Sequence, residues 1–195
     1  LKFGGTSVGC ASHINSVISI LEEKSKKDKV ICVVSAIGGV TDQLQQSGLL
    51  AQQGDSAYLE VARAIEDKHL QILTELINEN AAEIKAALKE QFQHLKNLLN
   101  GIYLIRELSP KTTDKLLSFG EQLSSFIETE TLNARHSNAV LKNAQELIVT
   151  DDSFTKAQVL LRQTHTNIAA YFKNAPQQIT ILPGFIARSF NGEAT

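Results

Sequence analysis

A chain of 195 residues can bury one sizeable core with, at most, a small subdomain. Its 43% hydrophobic and 21% charged residues are those of an ordinary globular protein, and a net charge of −2 leaves no basic footprint for nucleic acid or an acidic membrane. No apolar run approaches the ~20 residues of a membrane helix, so neither nucleic acid nor membrane is an expected partner.

The chain opens on Lys2-Phe3-Gly4-Gly5-Thr6-Ser7: a cation at the mouth of a short strand, then two glycines and two hydroxyls. Glycine permits φ > 0, and N–H groups in such a turn form a concavity for anions. The lysine adds a positive charge able to follow a phosphate during transfer. The order differs from the P-loop, where lysine follows the glycines. On these residues alone, a tight turn beside a solvated lysine stays open as the alternative.

Ser12 is a plausible N-cap for a helix whose Ile14, Val17, Ile18 and Leu21 recur at helical spacing. Val30 to Val34 reads as a central parallel strand buried on both faces, completing a βαβ unit. A second glycine loop follows in Ser35-Ala36-Ile37-Gly38-Gly39-Val40-Thr41-Asp42, at the strand end where parallel sheets bind ligands. Thr41 or Asp42 would cap the next helix.

Residues 43 to about 134 read as helical. Gly54-Asp55-Ser56 breaks one helix and caps the next, whose Leu59, Ala62, Ile65, His69, Ile72 and Leu76 share a face, His69 as a packed histidine. A further helix carries Ile84, Leu88, Phe92, Leu95, Leu99 and Ile102, and the two are expected to pair antiparallel beside the sheet. Their stripes could equally serve dimerisation, and a homo-oligomer is expected. Ser109-Pro110 is an N-cap with proline at N1. The helix it opens contains Ser118-Phe119-Gly120-Glu121; a helical glycine costs ~1 kcal/mol relative to alanine, so close approach of a ligand or a neighbouring backbone is expected at Gly120.

Ala139 to Leu141 and Leu147 to Val149 are short strand candidates, and Thr150-Asp151-Asp152-Ser153 is a turn, its carboxylates in water. A helix around Thr164 to Phe172 precedes a buried strand, Gln178 to Leu182, then Pro183-Gly184-Phe185-Ile186-Ala187 and an Asn191-Gly192 turn. Cys10 and Cys32 are too few for a disulfide framework, so reduced thiols and a cytoplasmic location are expected. Cys10 and His13 share a helical face without further ligands, and no metal site is expected. Leu1-Lys2-Phe3 is no signal peptide. The absence of Met suggests a piece of a longer protein whose first strand is shortened, and the last residues are expected to lack a partner to pair back on.

Four stretches together, Lys2 to Ser7, Val34 to Asp42, Ser118 to Glu121 and Pro183 to Ala187, resemble in order and spacing the motifs of aspartate kinases, within the amino-acid-kinase superfamily. Ile105 to Thr112 is similar to the kinase part of bifunctional aspartokinase/homoserine dehydrogenases. The resemblance covers essentially the whole chain. It implies an α/β fold, a three-layer αβα sandwich around a mostly parallel sheet, with residues 1–195 as the N-terminal, substrate-side lobe and a helical insertion over 43–134.

The activity implied is transfer of the ATP γ-phosphoryl to the side-chain carboxylate of L-aspartate, giving aspartyl 4-phosphate and ADP, the first committed step toward lysine, threonine and methionine. Phosphoryl transfer is mostly positioning and charge neutralisation. Lys2 would bridge the transferring phosphoryl, with Gly4, Gly5, Thr6 and Ser7 at the phosphates. Ser35, Ala36 and Thr41 would border substrate, and Glu121 would take the aspartate α-ammonium. Mg²⁺ would arrive with ATP, and NADP would serve only a dehydrogenase part outside this chain. The family's arginine-bearing Gly-Arg-Gly-Gly-Ser-Asp segment and its adenine-binding half would lie beyond Thr195, so residues 1–195 alone are expected to be inactive. The competing readings are another amino-acid kinase, acting on glutamate, acetylglutamate, carbamate or a nucleotide, and a non-catalytic helical module over 56–106. A dinucleotide-binding oxidoreductase is disfavoured by the lack of G-x-G-x-x-G.

Overall fold

The computed structural model describes residues 1–77 and 81–195; residues 78–80 of the expected helical region lie outside the described residues. The strands are β1 (Lys2–Phe3), β2 (Val30–Val34), β3 (Ala139–Leu141), β4 (Val149–Thr150), β5 (Ile179–Pro183) and β6 (Arg188–Ser189), of which β2, β3 and β5 are apolar runs. The main sheet runs β1-β2-β5-β3, every neighbouring pair parallel, while β4 and β6 form a separate parallel pair. The α/β class and parallel sheet are as expected.

Among the described residues, six α-helices lie between the strands: α1 (Ala11–Ser25), α2 (Val40–Gln53), α3 (Tyr58–Leu76), α4 (Ala81–Ile105), α5 (Pro110–Ala134) and α6 (Leu161–Asn174). No described helix is long and apolar enough to cross a membrane. Helices α3 and α4 are antiparallel: Tyr58 meets Tyr103, Glu66 pairs with Lys96 at 2.6 Å, and His69 meets Phe92 edge-on, so partner numbers fall as position rises. They pack on α2 and α5 and not beside the sheet as expected, because α5 occupies that place, touching β2, β3 and β5 on one side and α2, α3 and α4 on the other. That sandwiched position explains why α5 is buried on almost every face. Its interior hydroxyls are satisfied within the helix, Thr129 donating to the Ser125 carbonyl at 2.8 Å and Thr131 to Ile127 at 2.7 Å. One continuous apolar cluster joins Ile14, Ile18 and Leu21 of α1, Cys32 and Val34 of β2, and the stripes of α3 and α4.

Several local expectations are corrected. Helix α1 starts at Ala11 with extended Cys10 as N-cap, so Ser12 falls inside the first turn. Gly39, at φ +84°, is the N-cap of α2, which leaves Thr41 and Asp42 in its first turn without a capping bond. On α3, Tyr58 is buried in place of Leu59, which is 50% exposed, since the first turn faces Tyr103. Strand β2 is not buried on both faces: Ile31 is 39% exposed, because α1 and α5 cover only its other side chains. Leu147 and Ile148 close a 3₁₀ turn, and the strand begins at Val149. The last residues do pair back, Ala187 and Thr195 exchanging both backbone hydrogen bonds at 2.9 and 3.1 Å across the Asn191-Gly192 turn.

Other expectations hold. Ser109 accepts from the Thr112 N–H at 3.2 Å with Pro110 at N1, and Gly54 at φ +73° ends α2. His69 is fully buried, its Nδ1 bonded to the Ile65 carbonyl at 2.7 Å, and burial holds its pKa down at about 4.

Candidate active site

The carboxyl ends of β1, β2 and β5 meet at one edge of the sheet. Ser35 N–H donates to the Phe3 carbonyl at 3.1 Å, and Gly184 N–H to Val34 at 2.7 Å. Two glycine loops interlock there. A Cβ on Gly5 would lie 2.9 Å from the Ala36 carbonyl oxygen, and one on Gly38 would lie 3.3 Å from that of Gly5. These glycines serve close approach. The positive φ expected at Gly4-Gly5 is not adopted: Gly4 sits at φ −84° with open space around it, and the left-handed residue is Gly39.

Beside the loops lies a cleft of about 510 Å³, lined among others by Gly5, Ser35, Ala36, Thr41, Asp114, Glu121 and Phe185. The N-terminus of α2, without a side-chain cap, borders it, and first-turn N–H groups together with the helix dipole favour an anion there. Helix α5 supplies the opposite wall. Gly120 lets α5 come so close that a Cβ would lie 2.8 Å from the Ala36 Cβ, so the neighbour it serves is the Ala36 side chain. Ser124 Oγ donates to the Ser35 carbonyl at 2.8 Å and ties helix to loop.

Glu121 is 8% exposed. Burial pushes its carboxyl up from the ordinary carboxylate range, opposed by the backbone N–H of Ala36. Among the described residues no cation pairs with it, so a ligand ammonium would meet a partly desolvated and unneutralised carboxylate.

The other residues singled out from the sequence are distributed less evenly. Lys2 is exposed at the rim, its ammonium 5.5 Å from the centre of the Phe185 ring, which lines the cleft. Gly4 borders open space. Thr6 and Ser7 lie on a 3₁₀ turn that points them into a shallow groove with His13 and Ile20. Arg188 is exposed on β6, outside the cleft lining.

The cleft lining also includes Asp114, Ser118 and Phe185, to which the sequence alone assigned no role. Asp114 and Ser118 precede Glu121 on the same face of α5, a spacing legible beforehand. Asp114 Oδ2 accepts from the Thr155 N–H at 2.7 Å, and burial pushes its carboxyl up. Phe185, at φ +51° and 86% exposed, lies in the Pro183 to Ala187 stretch that resembles the family. No group of three or more His, Cys, Asp or Glu suited to a metal occurs among the described residues.

The model of the amino acid kinase family matches residues 1–195. A bifunctional aspartokinase/homoserine dehydrogenase of Buchnera aphidicola is 29% identical over 192 residues, 96% of this chain and 23% of that protein. An aspartokinase of Candida albicans is 33% identical over 165 residues, 80% of this chain and 29% of that protein. The solved E. coli aspartokinase III in complex with aspartate and ADP matches all of this chain and 42% of its own, with a TM-score of 0.85 and 26% identity. The form of that enzyme in complex with lysine and aspartate gives 0.86 and 25%, at the same coverage. The chain thus spans well under half the length of each of these relatives.

Proposed function

We propose, because this chain belongs to the amino acid kinase family, that it is the substrate-side lobe of an ATP-dependent aspartate kinase, moving the γ-phosphoryl of ATP to the side-chain carboxylate of L-aspartate. The observation that carries this reading is the cleft itself: an unneutralised Glu121 on one wall, and interlocked glycine loops with an uncapped helix N-terminus on the other. The likeness to aspartokinase III, solved with aspartate and ADP, supports the same acceptor.

Within the cleft, Glu121 binds the α-ammonium of aspartate, which separates an amino-acid acceptor from a plain carboxylate. Ser35, Ala36 and Thr41 border the substrate. The Gly5 N–H and the first turn of α2 hold phosphate oxygens, while Gly4, Thr6 and Ser7 stand outside the cleft lining and take no part. Lys2 swings from Phe185 toward the phosphoryl group and offsets the charge that shifts from acceptor to leaving oxygen. ATP enters as its Mg²⁺ complex, the cation held largely by phosphates and water. Asp42 and Asp114 are further carboxylates in the cleft lining. The whole protein would be a cytoplasmic homo-oligomer. NADP would bind only where a dehydrogenase part is joined to the kinase, as in the Buchnera relative's name.

The test is ADP release by the full-length protein with MgATP and, in turn, L-aspartate, L-glutamate, acetylglutamate and carbamate. Aspartate should be preferred in kcat/KM by about 10- to 200-fold over glutamate, one methylene longer, and by more over acceptors without a free α-ammonium. Preference for another acceptor overturns the assignment.

A further inference from the structure

The second glycine loop has a support that lies outside the cleft lining. Lys68, half-buried on α3, extends its ammonium to the Gly38 carbonyl at 2.7 Å, across thirty positions of sequence. Among the described residues no carboxylate lies within ion-pair distance of it. An ammonium paired with a neutral carbonyl is not offset by a counter-charge there, so it adds to the attraction for anions beside the loop. The carbonyl it holds belongs to the residue whose backbone packs against Gly5, and the next residue, Gly39, takes the left-handed turn that starts α2. The loop's own backbone bonds are sparse, Val40 N–H to Ile37 at 2.9 Å and Gln43 N–H to Gly39 at 3.2 Å. The Lys68 bond is thus an external tether on the peptide that sets where the first-turn N–H groups of α2 point.

We propose that Lys68 is a positioning residue of the site: from α3 it holds the Gly38 carbonyl and so fixes the second glycine loop and the α2 N-terminus in their anion-binding arrangement. The proposal rests on the phosphoryl-transfer reading for its kinetic consequence, and on the Lys68–Gly38 bond alone for its structural one. It gives the helical insertion a part in the chemistry, because α3 then carries a residue that orders the cleft.

The experiment compares Lys68→Met and Lys68→Arg in the full-length protein by steady-state kinetics, thermal melting and hydrogen exchange of the segment 37–41 without ligand. Lys68→Met should speed exchange of that segment about tenfold and raise KM for both substrates about tenfold, the equivalent of about 1.4 kcal/mol of lost order. Melting should stay within a few degrees of wild type. Lys68→Arg, which can still donate to the carbonyl, should remain within about threefold on both readouts; if the methionine variant does not fold, Lys68→Gln takes its place. Unchanged exchange with altered KM overturns the proposal, since Lys68 would then act on ligand directly, and unchanged KM with faster exchange overturns it too. If the wild-type protein makes no ADP with aspartate, the functional reading fails, and the exchange measurement still decides the Lys68 tether.

Discussion

At the scale of single residues, burial decides what each carboxylate can do. Glu121 is held above its usual range by desolvation, and aspartate's ammonium would offset that cost by favouring the charged form. Glu121→Gln should therefore raise KM for aspartate about tenfold to hundredfold and leave that for ATP nearly unchanged, as expected for a charge-assisted bond of roughly 1.5–3 kcal/mol. The pH dependence follows with a definite sign. A protonated Glu121 must lose its proton to bind an ammonium, so aspartate KM should rise as pH falls into the raised carboxylate range, and Glu121→Gln should flatten that rise. Lys2 is exposed, and among the described residues its ammonium meets only the Phe185 face, so its substitution should leave the fold intact. Lys2→Ala should lower kcat by several orders of magnitude with a smaller change in ATP affinity, since its charge matters most as the phosphoryl moves. Turnover at the wild-type rate would remove Lys2 from the chemistry. Glu128, two turns beyond Glu121, is fully buried with neither oxygen bonded among the described residues, and its pKa is pushed up to about 8 by burial. Between about 4.5 and about 8 the folded protein keeps a proton that the unfolded chain has lost. Stability should therefore fall with rising pH by about 1.4 kcal/mol per unit from this group alone. The gain in denaturation midpoint on Glu128→Gln should be larger at pH 8 than at pH 5.5; an equal gain at both would show that Glu128 is already ionised.

At the scale of elements, α5 organises the molecule, because the sheet, the helical layer and the cleft all bear on it. Gly120 is where it passes the loop after β2. Alanine there would gain about 1 kcal/mol of helix propensity. Its Cβ would also stand 2.8 Å from that of Ala36, and overpacking of that kind costs about 1–3 kcal/mol. Gly120→Ala should give a small net destabilisation and a clear rise in aspartate KM, as the strain relaxes by moving Ala36 away from Glu121. The start of the helix was readable in advance from Ser109-Pro110, an N-cap with proline at N1. The burial of its polar side was not, since Ser118, Ser124, Thr129 and Thr131 look like a solvated face until their hydroxyls are seen bonded inside the helix.

At the scale of the whole molecule, the cleft brings together donors and a carboxylate, but among the described residues its lining contains no arginine, and Arg188 stands exposed on β6. A phosphoryl-transfer site must hold donor and acceptor in line, and a displacement of one ångström can cost about 10²-fold. Residues 1–195 by themselves should show no aspartate-dependent ADP release, and activity within tenfold of the full-length protein would show that the cleft is complete without further chain. What the sequence by itself determined was whatever depends on neighbours along the chain: the βαβ opening, the capped start of α5, the antiparallel α3–α4 pair, the glycine loops at strand ends. Periodicity and cap chemistry act within a few residues and leave their mark there. Only the tertiary structure decided which glycine needed its missing Cβ, that Thr6 and Ser7 turn away from the cleft, that α5 and not the α3–α4 pair lies against the sheet, and that Lys68 reaches Gly38. Each of these depends on backbones brought within a few ångströms by the packing of distant segments, and no local pattern of residue types encodes that distance.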